Sequence, residues 1–177
     1  MNLFDFFKLR DIIGLEVNKM KVTKKQLNSR NCIICGLDNE SGLKAPFYNL
    51  DDQSVGSIFT FKSHHQSYPG RVHGGMITAL LDELIGRALW IKEPNTYAVT
   101  TSMTVKFKKP VPYDTLLKGR GYIVKDSSRL YVGRGEIYDM DNNVLAEVEA
   151  TYLKMSSAKA SNSDSNVEEE MCYDIVD

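Results

Sequence analysis

Three cysteines, five prolines and one tryptophan are all that 177 residues supply of those types. Each scarcity excludes something. An odd cysteine count, with Cys32 and Cys35 in a Cys-x-x-Cys pair and Cys172 far away, is a poor disulfide framework and points to a reducing, cytoplasmic setting. No run approaches the roughly 20 apolar residues that a membrane-spanning helix requires, and the first residues lack the basic-then-apolar order of a signal peptide. Excess charge is also lacking. The formal net charge is -1, so no global basic field exists of the kind that drives nucleic-acid binding. With 42% hydrophobic and 25% charged residues the composition is that of an ordinary globular protein with material for one domain.

The two ends differ from the middle. Residues 1–30 hold seven Lys/Arg against three Asp/Glu, while residues 156–177 hold one against six. Leu3, Phe4, Phe6, Phe7, Leu9, Ile12, Ile13, Leu15 and Val17 are interleaved with Lys8, Arg10 and Lys19, the pattern of an amphipathic helix over residues 1 to about 22. Residues 23–31 read as a linker. The last 22 residues, rich in Ser, Asn and acidic side chains, have little to bury and are expected to form a mobile acidic tail. The domain itself is expected over 31–155.

Inside it the pattern is mostly β. Strands are expected near 45–50, 54–62, 97–108, 116–125, 130–138 and 143–154, with turns at 126–128 and 141–143. One long helix runs from about Gly74 to Ile91 through MITALLDELIGRALWI, apolar nearly all the way round as a helix wrapped by a sheet should be. These patterns alone establish an α+β class.

Asp82 stands in the middle of that helix with Thr78, Ala79, Ile85 and Gly86 as its helical neighbours, so no basic residue on its own helix can pair with it. Burying an unpaired carboxylate costs several kcal/mol, roughly, which makes Asp82 the leading functional candidate over a structural acceptor for a nearby strand. Glu83 differs, because Arg87 lies four residues on in the favourable order for an ion pair. Gly75, Thr78, Ala79, Asp82 and Gly86 form a stripe of mostly small residues that leaves room for a ligand or a second helix. Upstream, Tyr68-Pro69-Gly70-Arg71-Val72-His73-Gly74-Gly75 turns the chain into the helix, and free N–H groups there suit an oxyanion. Gly74 and Asp82 are eight residues apart, about 12 Å along a helix. If both act, they must serve one carbonyl from different subunits across a two-fold axis.

HGGMITALLDELIG, preceded by YPGRV, resembles the helix signature of PaaI-like hotdog thioesterases. NCIICGLDNESGL at 31–43 is similar to the Cys-rich N-terminal segment of one branch of that superfamily, and TTSMTVKFKKPVPYDTLLKGRG resembles its following strand and Pro turn. The resemblance covers about residues 31–155. It implies a hotdog fold, one central helix wrapped by an antiparallel sheet of five or six strands, and an acyl-CoA thioesterase needing no cofactor, acting as a homodimer or a pair of dimers.

In that family the carboxylate nine residues after the His is general base or nucleophile, a position held here by Asp82. The amide after the His, here Gly74, polarises the thioester carbonyl, and a strand hydroxyl, matched by Thr100, orients water or carboxylate. His73, Gly75 and Thr78 fall in the substrate-binding region. Relatives often place an amide side chain a few residues before the His, whereas this chain has Gln66-Ser67, with Gln66 one residue out of register. His73 reads as a brace for the turn, and His64 and His65 as solvated residues at a strand end. No metal is expected at Cys32 and Cys35, because two further ligands would be needed and no histidine lies at zinc spacing. A redox role for the pair lacks its βαβ context. Lys106, Lys108, Lys109, Lys118, Arg120 and Arg129 are the cations available to CoA phosphates. The rival to an enzyme is a non-catalytic acyl-CoA binding or sensing module, which would gain nothing from an unpaired carboxylate. A hotdog hydratase is a third reading, disfavoured because the helix lacks an Asp/His pair at suitable spacing.

Overall fold

The computed structural model describes residues 21–156. The amphipathic helix expected over the first residues, up to residue 20, and the acidic tail beyond Ser156 lie outside the described residues.

The strands are β1 (Val22–Lys25), β2 (Tyr48–Leu50), β3 (Val55–Phe59), β4 (Gln66–Tyr68), β5 (Arg71–Val72), β6 (Thr96–Phe107), β7 (Leu117–Asp126), β8 (Leu130–Tyr138) and β9 (Val144–Ser156). The helix α1 spans Gly74–Ala88. Seven strands form one antiparallel sheet in the order β1-β2-β3-β7-β8-β9-β6, and β4 pairs with β5 in a separate ribbon. The sheet has one strand more than the five or six expected, because the segment read as a linker begins with β1. Its sequence VTKK carries little strand signal, and it is held by backbone pairing with β2 and by the buried side chains that follow, Gln26, Asn28 and Ser29.

His73 starts α1 through its side chain, which accepts from the Gly75 amide, and its carbonyl accepts from Met76 and Ile77. The helix ends at Ala88 and tightens into a 3-10 turn, Leu89–Ile91, a few residues before Pro94, whose ring prevents further continuation. Ile77, Leu80, Leu81, Leu84 and Ile85 are buried against the sheet. Glycines let the helix come close: a Cβ on Gly121 would stand 2.5 Å from the backbone of Leu84, and one on Gly133 would stand 2.2 Å from Ile85 Cγ2. The core thus lies between the helix and the sheet, joined by Phe47, Phe59, Phe61, Leu117, Ile137 and Val148.

β6 forms one border of the sheet. It is 12 residues long, pairs only with β9 among the described residues, and exposes Val99 and Phe107. A border of that length presents a row of backbone groups to another strand. No helix among the described residues is long and apolar enough to cross a membrane.

Candidate active site

Asp82 projects from the middle of α1 toward β6 and β9. Thr100 on β6 and Tyr152 on β9 are register partners, so their side chains lie on one face of the sheet. Both hydroxyls donate to the same oxygen, Asp82 Oδ1, Thr100 Oγ1 at 2.7 Å and Tyr152 Oη at 2.8 Å. Neither bond uses Oδ2. Tyr152 is buried and stacks on its β8 register partner Tyr131, ring centroids 4.7 Å apart and planes within 6° of parallel. Burial, and then the Asp82 charge, push the Tyr152 phenol far above its ordinary value, so it remains a donor at neutral pH. The carboxylate is therefore held by two neutral hydroxyls.

Thr100 was expected beside Asp82. Tyr152 was not, and nothing local marks it: a tyrosine in the last described strand reaches Asp82 only through the β6–β9 register, which spans 52 residues at that pair.

At the other end of α1, His73 draws the amides of Gly75, Met76 and Ile77 to itself, and the Gly74 amide is not among them. His73 Nδ1 is thereby an acceptor. Thr78 Oγ1 donates to Gly74 O at 2.8 Å, turning its proton back onto the helix. A Cβ on Gly74 would lie 3.3 Å from the ring of Phe107, at the far end of β6 from Thr100. Gly74 and Asp82 are thus at opposite ends of the same strand, as the helix spacing requires. Gln66 and Ser67 are exposed on β4, away from the Asp82 pocket. His64 is exposed, but His65 is buried rather than solvated: its Nδ1 accepts from the Lys62 amide at 3.1 Å and its Nε2 meets Ser41 O at 2.9 Å. Of the six cations considered for phosphates, Lys106 and Lys108 reach Glu147, Arg120 pairs with Asp52, and Lys118 meets Asn142.

A pocket of about 210 Å³ opens beside Asp82, lined also by Thr100, Tyr152, Gly86, Trp90 and Tyr97. Its opposite wall holds Cys32, Cys35, Glu83 and Arg87. Arg87 is buried. Its Nε donates to Glu83 Oε1 at 2.8 Å, its Nη1 donates to Leu27 O at 2.9 Å and Gln26 Oε1 at 3.2 Å, and its guanidinium lies over the Phe47 ring at 4.3 Å. Burial raises Glu83 to about 7 against the pull of Arg87. A hydrogen bond with Cys35 lowers the Cys32 thiol to about 6, while that same bond and burial push Cys35 up to about 12.

One helix wrapped by a large antiparallel sheet, with a hydroxyl-held carboxylate in the helix, defines a hotdog domain. Residues 69–146 match the family model described as Thioesterase superfamily. Over 116 residues the chain is 29% identical to the mouse acyl-coenzyme A thioesterase THEM4, covering 65% of this chain and 49% of that protein. It therefore spans about half the length of the curated relatives it matches. Among solved structures, a thioesterase superfamily protein superposes with a TM-score of 0.66 at 24% identity, covering 83% of this chain and 75% of the other. PaaI from the E. coli phenylacetic acid degradation operon superposes with a TM-score of 0.58 at 17% identity, covering 64% and 81%. Part of the domain thus matches the thioesterase superfamily model, and its fold is that of PaaI.

Proposed function

We propose that the protein is a thioester hydrolase that cleaves acyl-CoA to free acid and CoA, with Asp82 as its catalytic carboxylate. The observation that carries this reading is the pairing of Thr100 and Tyr152 on one oxygen of Asp82, which forms no salt bridge among the described residues. With Oδ1 fixed by the two hydroxyls, Oδ2 is the oxygen left for chemistry in the pocket that Asp82 lines. As a general base it takes a proton from water, whose oxygen adds to the thioester carbonyl, and returns that proton to the departing sulfur; as a nucleophile it attacks that carbon itself, and water then hydrolyses the acyl–Asp82 anhydride to free acid, its proton going to the CoA thiolate. In either case the oxyanion is received by the Gly74 amide and CoA leaves as the thiol. The THEM4 relative, an acyl-CoA thioesterase by name, supports the substrate class.

The site is completed by a second copy. At about 210 Å³ the pocket of one chain is smaller than the roughly 300–1,000 Å³ of ligand sites. Antiparallel pairing of two β6 borders about an axis beside Met103 and Thr104 sets Thr100 of one chain opposite Phe107 of the partner subunit. Gly74 lies against Phe107 and Asp82 against Thr100, so this register brings the amide of one subunit to the carboxylate of the other. The open β6 border supports a homodimer of this kind. The free thiols of Cys32 and Cys35 suit a reducing, cytoplasmic setting.

A thiol-release assay across acyl-CoA chain lengths and aryl-CoAs tests the activity; tight binding without release would favour the sensing module instead. Subunit complementation tests the shared site. Gly74→Pro removes the amide at the first helical position, where proline is accepted, and His73 at ψ 134° already has the extended backbone that precedes proline. Gly74→Pro and Asp82→Asn proteins should each be inactive. After subunit exchange, half the dimers are mixed with one intact site each, restoring about a quarter of native turnover. An inactive mixture would place both groups in one subunit.

A further inference from the structure

The wall of the pocket opposite Asp82 carries a second constellation that hydrolysis does not use. Residues 32–36 read Cys-Ile-Ile-Cys-Gly and fold into a closed turn in which the Gly36 amide donates to Cys32 O at 2.8 Å. The amides of Ile34 and Cys35 point at the first sulfur, donating to Cys32 Sγ at 3.3 and 3.5 Å. Gly36 is required, since a Cβ there would stand 2.4 Å from Cys32 O and 2.6 Å from Cys32 N. The turn is anchored by Asn28, whose buried Nδ2 donates to Cys35 O at 2.6 Å and to Ala45 O at 3.1 Å. Against it lies α1, with Glu83 Oε2 4.0 Å from Cys32 Sγ, so that both sulfurs and a carboxylate oxygen lie within 4.8 Å of one another.

The geometry points to a binding site for a sulfur-seeking divalent cation of the Zn²⁺ class, held by Cys32 Sγ, Cys35 Sγ and Glu83 Oε2, with its fourth position toward the acyl pocket. Around a tetrahedral zinc with bonds of about 2.0–2.3 Å, neighbouring donors stand about 3.5–3.8 Å apart, so donors now 4.0 Å apart at Cys32 and Glu83 and all within 4.8 Å must draw in by up to about 1 Å. Amides aimed at a sulfur favour its thiolate. Arg87 occupies only Oε1 of Glu83, leaving Oε2 to coordinate and orienting it as a buried partner does. Its positive charge, added to that of a dication, balances two thiolates and a carboxylate. Two sulfur donors select against Mg²⁺ and Ca²⁺, which require oxygen. Binding expels whatever thiol protons remain to solvent and ties the 32–36 turn to the helix that bears Asp82. The third ligand escaped the sequence because it lies 48 residues beyond Cys35 and is joined to it only by packing.

The test uses the full chain carrying Cys172→Ser, so that the pair supplies the only thiols. Protein stripped with a chelator is titrated with Zn²⁺ against a chromophoric competitor, and separately with Co²⁺, whose thiolate charge-transfer absorption reports sulfur ligation. The expected result is about one ion per chain, a sulfur-to-cobalt band and a raised Tm. Cys32→Ser and Cys35→Ser should each weaken binding at least tenfold and lose the Tm rise, while their melting in chelator matches that of the parent and shows that the fold is intact. Absence of binding at micromolar Zn²⁺, equal binding by Cys35→Ser, or thiols that close into a disulfide with zinc giving no protection would overturn the site. Since no substrate is used, this outcome is independent of thioester hydrolysis.

Discussion

Asp82 and Glu83 are adjacent carboxylates on one helix, and their surroundings could hardly differ more. Asp82 meets two neutral hydroxyls through one oxygen. Glu83 meets a buried guanidinium that also ties down Gln26 and Leu27. Successive residues on a helix point about 100° apart, so one faces the β6–β9 border while the other faces the N-terminal segment. Neutral donors orient a carboxylate without consuming its charge. An ion pair spends that charge on holding its neighbour in place. The chemistry of each group follows from its partners rather than from its own type.

The comparison breaks most sharply at Asp82. Asp82→Asn keeps an oxygen able to accept from Thr100 and Tyr152 but removes charge and basicity, so hydrolysis should fall at least ~100-fold with Tm unchanged or higher. Turnover and melting are measured on one preparation; a stable variant keeping more than about a tenth of native turnover would remove Asp82 from the chemistry.

At Glu83 the expectation inverts. Glu83→Gln leaves the Arg87 guanidinium, whose Nη2 already has no hydrogen-bond partner among the described residues, without its counter-charge. Because the Glu83 side chain retains some exposure and Gln still accepts a hydrogen bond, the cost should be about 2 kcal/mol in denaturant unfolding, below the value for breaking a fully buried pair. Turnover of the folded fraction should change far less than for Asp82→Asn. Equal loss of turnover in the two variants would erase the distinction between them.

Between these lies Thr100→Val, which removes one of the two donors to Asp82 Oδ1 while keeping the β-branched shape of a strand residue. Tyr152 still holds the oxygen, so a fall in kcat of about tenfold, with KM nearly constant, is expected from steady-state kinetics. A change in KM alone would make Thr100 a binding residue.

How far these roles were visible in the sequence depends on the distance over which each is set. α1 follows from local periodicity, and Asp82 stands out because its helical neighbours are all uncharged. The Glu83–Arg87 pair is a four-residue relation and is equally local. Thr100 came from family resemblance, since only strand pairing shows that its hydroxyl meets Asp82. Tyr152 and the approach of Cys32 to Glu83 depend on contacts 70 and 51 residues apart in sequence, which no window captures. β1 escaped for another reason: a four-residue polar strand at the sheet border is fixed by its neighbour's backbone and by the buried Gln26 and Asn28, not by an apolar pattern of its own.

The smallest effect sits between the two carboxylate environments, at Gly86, which lines the pocket they share. A Cβ there would meet nothing within 4 Å among the described residues, so sterics among them do not explain a glycine in mid-helix. Gly86→Ala should add up to about 1 kcal/mol through helix propensity, a rise of roughly 2–4 °C in Tm for a chain of this size. Our reading gives the open space to the acyl group. The added methyl should then leave dimerisation intact and lower kcat/KM severalfold for the bulkier acyl-CoAs while sparing the shortest. Competition between short and long acyl-CoAs in one assay measures this directly. A stabilised variant with unchanged chain preference would take Gly86 off the acyl path, whereas a shift to monomer in sedimentation would assign the space to the partner's helix.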